Sequence, residues 1–382
     1  MGTGTSVTGV TDLSVHGSPP HEVVSFVGES AHRSRARSLH AGRRVVKRAV
    51  PGQPYSLDDG LGIRRIEHDG RTQIEILALA PVLANHPIVE QAIRNRASRY
   101  ADLDVRSFAT VRRLERSGSS LNIVTEVPAG VRLSHLLAHL ESTGEVVPAP
   151  AIFELASSII NAVASLHAWP GGLAHGAITP AHILLTNDGR VLLTDGVFGG
   201  GLEALQRNRE ALWKEFRLAM PPVASLARFD QQTDVTQMGA SILALILRRP
   251  LRAPEYPRGV SDLVMTATES ATLSESAAGF TLRTWLQAAL QIHAKLAFRS
   301  AVEAQRSFGE IASTRHSRRE GATALQELMR TTCAEAPNQP PVVVNTPRPQ
   351  PAPESRVGQT GERRAGAFET AVRSALPERK AR

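Results

Sequence analysis

The stretch with the residue types to do chemistry runs from His175 to Gly200, HGAITPAHILLTNDGRVLLTDGVFGG. It reads as loop, strand, turn, strand and loop. Ile183-Leu184-Leu185 and Val191-Leu192-Leu193 are short apolar runs, and Asn187-Asp188-Gly189 between them is a hairpin signal. The polar groups left outside the strands are two imidazoles, His175 and His182, and the carboxylate of Asp195. His182 could take a metal, but imidazole suits softer metals than magnesium, which prefers oxygen ligands; a hydrogen-bonded loop residue is the plainer reading. Ala177 offers a methyl group, which can accept no proton.

In order and spacing the stretch resembles the catalytic segment of the eukaryotic-type protein kinase family, as found in bacterial Ser/Thr kinases. Members carry His-Arg-Asp, then Lys-Pro-x-Asn, a hairpin and Asp-Phe-Gly. The register runs without a gap. The resemblance implies that His175 is the family histidine, Pro180 the proline and Asp195 the metal-binding aspartate. It also places Ala177 where the catalytic aspartate belongs, Thr179 at the lysine, His182 at the asparagine and Gly196-Val197 at Phe-Gly. In such a kinase the aspartate accepts the substrate hydroxyl proton, while the lysine, the asparagine and two magnesium ions neutralise charge on the transferring phosphoryl group. A general base alone is worth ~10²–10⁴ in rate.

The elements that would position this loop follow. Gly62 to Ile66, a turn at His68-Asp69-Gly70, and Gln73 to Leu79 read as a strand hairpin. The resemblance makes it the small lobe, whose second strand should carry the phosphate-gripping lysine of Val-Ala-x-Lys. Leu77 stands there, and no lysine occurs between Arg48 and Lys214. The Gly-rich phosphate loop is reduced to Gly60. The small lobe is therefore expected to present no cation to a nucleotide. A helix over residues 87–101 holds one acid, Glu90, which reads as a surface charge; strands at 108–114 and 121–127 lead into Glu126, Val127 and Pro128, which resemble the hinge between lobes.

Beyond the hinge the apolar spacing turns helical at 133–140 and 153–167. Asp234 to Gly239 resembles the family's Asp-x-Trp-x-x-Gly helix, which implies that Asp234 accepts hydrogen bonds from the backbone of the catalytic-type loop. Pro222 and Ala297 stand where the family has the two halves of a salt bridge. A joint loss leaves no unpaired charge behind, as a folded scaffold requires.

Among 382 residues 42% are hydrophobic and 4% aromatic, in keeping with a globular protein. No unbroken apolar run approaches the ~20 residues of a membrane span, and a single cysteine, Cys333, excludes an internal disulfide. The net charge of +8 lies in the tails: residues 1–50 hold seven Arg or Lys against three acids, and residues 315–382 hold twelve against seven, which leaves −1 between them. The Pro-rich run from Pro337 to Pro353 reads as a linker.

The expected fold class is α+β, a two-lobed protein-kinase-like fold with a small antiparallel β-sheet lobe and a larger, mainly helical lobe. The expected divisions are a disordered basic extension at 1–50, the small lobe at 51–127, the large lobe at 128–312 and a Pro/Arg-rich, mostly disordered tail at 313–382. The expected function is that of a cytoplasmic, catalytically inactive pseudokinase acting as a signalling scaffold; the alternatives are an active Ser/Thr kinase with atypical residues and a basic-tailed nucleic-acid binder. Cofactor contacts would fall to Asp195, Gly60, Glu126, Val127 and Pro128, with ATP and magnesium held weakly or not at all and Asp195 the sole metal ligand. His175, Pro180, Asp234 and Gly239 would be structural. The expected partner is a protein, with no membrane span and no specific nucleic acid, and residues 365–376 form an amphipathic candidate docking helix.

Overall fold

The computed structural model describes residues 51–334, except 71, 105, 223–226, 270–275 and 314–316. The extension at 1–50, the Pro-rich run and the 365–376 helix lie outside the described residues.

Alternating strand patterns build the first lobe from β1 (Pro54–Ser56), β2 (Gly62–Asp69), β3 (Thr72–Leu79), then two helices, α1 (Pro81–Ala84) and α2 (Pro87–Tyr100), then β4 (Thr110–Ser117) and β5 (Ser120–Glu126). All pairings are antiparallel, in the order β1-β2-β3-β5-β4. Residues directly opposed in such a sheet share a face. Arg64 opposes Leu77 and Ile66 opposes Glu75, while Glu75 and Leu77 oppose Thr125 and Ile123 on β5. One face thus carries Arg64, Glu75 and Leu77, all buried. The usual pattern is inverted at the start of β2, where Ile63 is 51% exposed and Arg64 is 0% exposed.

The second lobe begins with β6 (Gly130–Arg132), α3 (Leu133–Thr143) and α4 (Ala149–His167), followed by β7 (Ile183–Thr186) and β8 (Val191–Leu193), which complete a three-stranded sheet in the order β6-β7-β8. Then come α5 (Phe198–Ala204), α6 (Arg209–Phe216), α7 (Gln231–Leu247), α8 (Val260–Glu269), α9 (Ser276–Ala289), α10 (Ala301–Ser313) and α11 (Arg318–Ala334). Asn208 caps α6 by accepting from the Ala211 N–H, and Asp230 caps α7 by accepting from Thr233. By length and composition α4 could cross a membrane, a property hidden in the sequence by interspersed Ser, Asn and Glu. Its apolar residues are instead buried against α7, α10 and α11 in the main core.

Helix α11 corrects the boundary drawn at residue 312. The Arg/Ser-rich start of the tail masks an amphipathic helix whose Leu325, Leu328 and Met329 pack into the main core along α4.

A filled interlobe cleft as the candidate functional site

The loop after α4 is tied down by α7. The Asp234 carboxylate accepts hydrogen bonds from the backbone N–H groups of His175 (2.5 Å) and Gly176 (2.6 Å). His167 donates to it from Nε2 (2.9 Å), since its Nδ1 accepts from the Ala301 N–H. Gln237, one turn later, accepts from the Ile178 N–H at 2.7 Å. Pro180 opens a short 3₁₀ turn ending at His182, and Gly239 lets α7 approach Ala289, where a Cβ would sit 3.0 Å from the alanine methyl. His175 is buried; its Nδ1 accepts from the Ala177 N–H, and burial pushes its pKa down to about 4, so the ring is neutral.

Where the two lobes meet, a charge cluster fills the cleft. Arg64 of β2 faces Asp59 Oδ2 at 2.8 Å, Asp195 Oδ2 at 3.2 Å and Glu75 Oε1 at 3.3 Å. Arg132, at the end of β6, grips both oxygens of Glu75 at 2.7 and 2.9 Å and lies 3.6 Å from Asp195. It also donates to the Ala181 carbonyl and the Thr194 hydroxyl. His182 donates from Nδ1 to the Ala177 carbonyl (2.6 Å) and meets Asp59 through Nε2 (3.0 Å). Tyr55 donates its hydroxyl to Glu75. Burial alone would push the Asp195 carboxyl up; Arg64, His182, Arg132 and a 2.8 Å hydrogen bond from Thr194 outweigh it and hold Asp195 well below the usual carboxylate range. Asp59 is lowered in the same way, by Arg64 and His182 against burial.

The hinge is closed off as well. The Val127 N–H donates to the Gln73 carbonyl, Pro128 has no N–H, and the Ala129 carbonyl accepts from Asn187. The Glu126 carboxylate turns away to Arg112, at 2.8 and 3.0 Å. Tyr55, Ile66, Val127, Leu184 and Leu192 pack together beside it. Among the described residues, a cavity of about 150 Å³ beside the hinge is lined by Tyr55, Ile66, Glu75, Val127, Arg132 and Leu184. Small-molecule sites usually offer ~300–1,000 Å³. A larger groove of about 660 Å³, lined by His68, Phe108, Pro128 and Leu192, reaches neither Asp195 nor Ala177.

The front of the cleft is covered by α6. Ala177 is fully buried in an apolar cluster with Leu61, Leu77, Leu212, Phe216 and Leu218. Gly60 lies against the backbone of α6: its φ is +63°, and a Cβ there would sit 2.2 Å from the Glu215 carbonyl oxygen. Only glycine permits both the conformation and the approach.

These placements revise the sequence reading at three points. Asp195 faces guanidinium groups rather than open space for a metal, Gly60 docks on α6, and the small lobe does present a cation, Arg64, although carboxylates on all sides engage it. Alternation carried the missing signal. Arg64 falls in phase with Ile66, and Glu75 in phase with Leu77 and Leu79, so a charged residue on each strand sits on the apolar face. Asp59 and Arg132 had no such signal, because Asp59 lies in the loop between β1 and β2 and Arg132 ends the three-residue β6. An ATP molecule with magnesium, which the fold implies, does not fit these residues: the space, the hinge donor and the metal-binding carboxylate are all taken. Among the described residues no group of three His, Cys, Asp or Glu is placed to hold a metal.

No family model matches the sequence, and no curated protein does. Among solved structures, the kinase domain of Mycobacterium tuberculosis PknI in a doubly substituted form matches with a TM-score of 0.52 and 17% identity, covering 68% of this chain and 94% of that one. A second doubly substituted form gives 0.49 and 16% over the same shares. At that identity the likeness shows the fold alone, a two-lobed kinase-like fold with an antiparallel small lobe and a helical large lobe.

Proposed function

We propose that this chain is a kinase-like protein that transfers no phosphoryl group and acts as a signalling scaffold through protein contacts. The observation that carries the reading is the cleft itself: Arg64 and Arg132 pair with Asp195, Asp59 and Glu75 in the space between hinge and catalytic-type loop. A kinase needs that carboxylate for a metal and that space for a nucleotide. The base position adds a second obstacle. Ala177 has no proton acceptor, and α6 seals it from any incoming hydroxyl. What the chain retains is the bonding that keeps the fold: Asp234 and Gln237 accept from the loop backbone, and His167 donates to Asp234. A protein freed of chemistry but keeping the fold has its surface left as its means of action. The protein partner and a cytoplasmic setting belong to this same reading.

Incubation of the purified chain with γ-labelled ATP, magnesium and a generic protein substrate should give no incorporation above the background of the Asp195→Ala variant. Incorporation at a usual kinase turnover that Asp195→Ala abolishes would establish the active-kinase alternative.

A further inference from the structure

We propose that Arg64 is a built-in cation that keeps the two lobes closed on each other without any ligand; this rests on the reading above that the cleft takes no nucleotide. Arg64 comes from the small lobe and reaches Asp195 of the large lobe at 3.2 Å. Arg132 comes from the large lobe and grips Glu75 of the small lobe at 2.7 Å. His182 of the large lobe meets Asp59 of the small lobe at 3.0 Å. Three links thus cross the cleft, and Arg64 joins them, since it touches Asp59 and Glu75 as well as Asp195. None of these six side chains is more than 6% exposed.

Opposite charges meet across the cleft. Three carboxylates face two guanidinium groups, and the two ring nitrogens of His182 face the Ala177 carbonyl and Asp59. A divalent ion placed at Asp195 would add charge beside two guanidinium groups, in surroundings where like charges repel strongly. Opening the cleft would separate Arg64 from Asp195 and Arg132 from Glu75. It would also part His182 from Asp59. Arg64 would keep Asp59 and Glu75 within its own lobe and Arg132 would keep Asp195 within its own, so what opening loses is the three crossing links together. Closure is therefore held by the chain's own side chains. On the small lobe the lock rests on one face of the sheet, where Arg64 of β2 meets Asp195 and Glu75 of β3 meets Arg132.

Amide hydrogen exchange on the full chain, read by mass spectrometry, tests this. In EDTA and without nucleotide, residues 57–62, 176–183 and 194–198 should exchange slowly, and ATP with magnesium should leave them unchanged. Arg64→Met should speed exchange in all three segments by roughly tenfold or more, with α4 and α7 still protected as the sign of a folded large lobe. If Arg64→Met does not fold, Asp59→Asn takes its place, since it weakens the Arg64 and His182 links while keeping an acceptor for the Leu61 N–H; the same speeding is expected. Speeding confined to residues 57–62, or none in either variant, overturns the proposal and leaves the reading of the function intact. Fast exchange at 176–183 in the unliganded wild type, slowed by ATP with magnesium, overturns both.

Discussion

At the scale of single residues, Asp234 and His175 show how the loop is held. Asp234 accepts from two backbone N–H groups and from His167, all buried. Asp234→Ala leaves these donors without a partner at about 1–3 kcal/mol or more, which urea denaturation should read as a lower midpoint at unchanged slope; an unchanged midpoint contradicts the assignment. His175 makes stability depend on pH. Burial lowers its pKa to about 4, against ~6.5 in an unfolded chain. Between those values the unfolded chain binds the extra proton, so the contribution is complete above pH ~6.5 and declines as the pH falls toward 4, by up to about 1.4 kcal/mol per pH unit. The lowered Asp59 and Asp195 act in a separate window, below the ~3.9 of an unfolded aspartate. Unfolding midpoints at pH 7 and pH 5 should therefore differ, and His175→Gln should shrink the difference. An identical difference in the variant would remove His175 from the account. The contact of Asp234 with the loop backbone was expected because its motif resembles the family's, and the structure shows it. Arg64 was not expected, because an arginine beside isoleucines reads as surface until its strand partner is known.

At the scale of elements, periodicity located much of what apolar burial organises. The hairpin at 62–79, the helix at 87–100, the β7–β8 hairpin and α4 all follow from their spacing. Others went unread, α1, β6, α5, α6 and α8 among them, and β1 and α11 show why. The three-residue β1 is too short to show alternation, yet it brings Tyr55 over Glu75. Helix α11 opens with two arginines and a glycine, and its apolar residues are few, but Leu328 is 4% exposed and packed in the main core. Leu328→Ala should cost about 2–5 kcal/mol, the range for a buried leucine with a cavity left behind. A loss under about 0.5 kcal/mol, the size of a surface change, would mean that α11 is not an integral part of the lobe.

At the scale of the molecule, the fold of a kinase is kept while the space between its lobes is given to the chain's own side chains. Sequence reading anticipated weak nucleotide binding from what was missing, Leu77 for a lysine and a single Gly60. The structure replaces that argument from absence with one from presence: the Arg64 and Arg132 cluster, the engaged Val127 N–H and a cavity of about 150 Å³. A ligand that binds only the native state stabilises it by mass action, by about 2.7 kcal/mol at a hundredfold excess over Kd, and so raises its melting temperature. The most direct measurement is therefore the melting temperature of the purified chain across a titration of ATP with magnesium into the millimolar range. The account predicts a flat line; a rise that grows with ATP concentration, and is lost in Asp195→Ala, would contradict it.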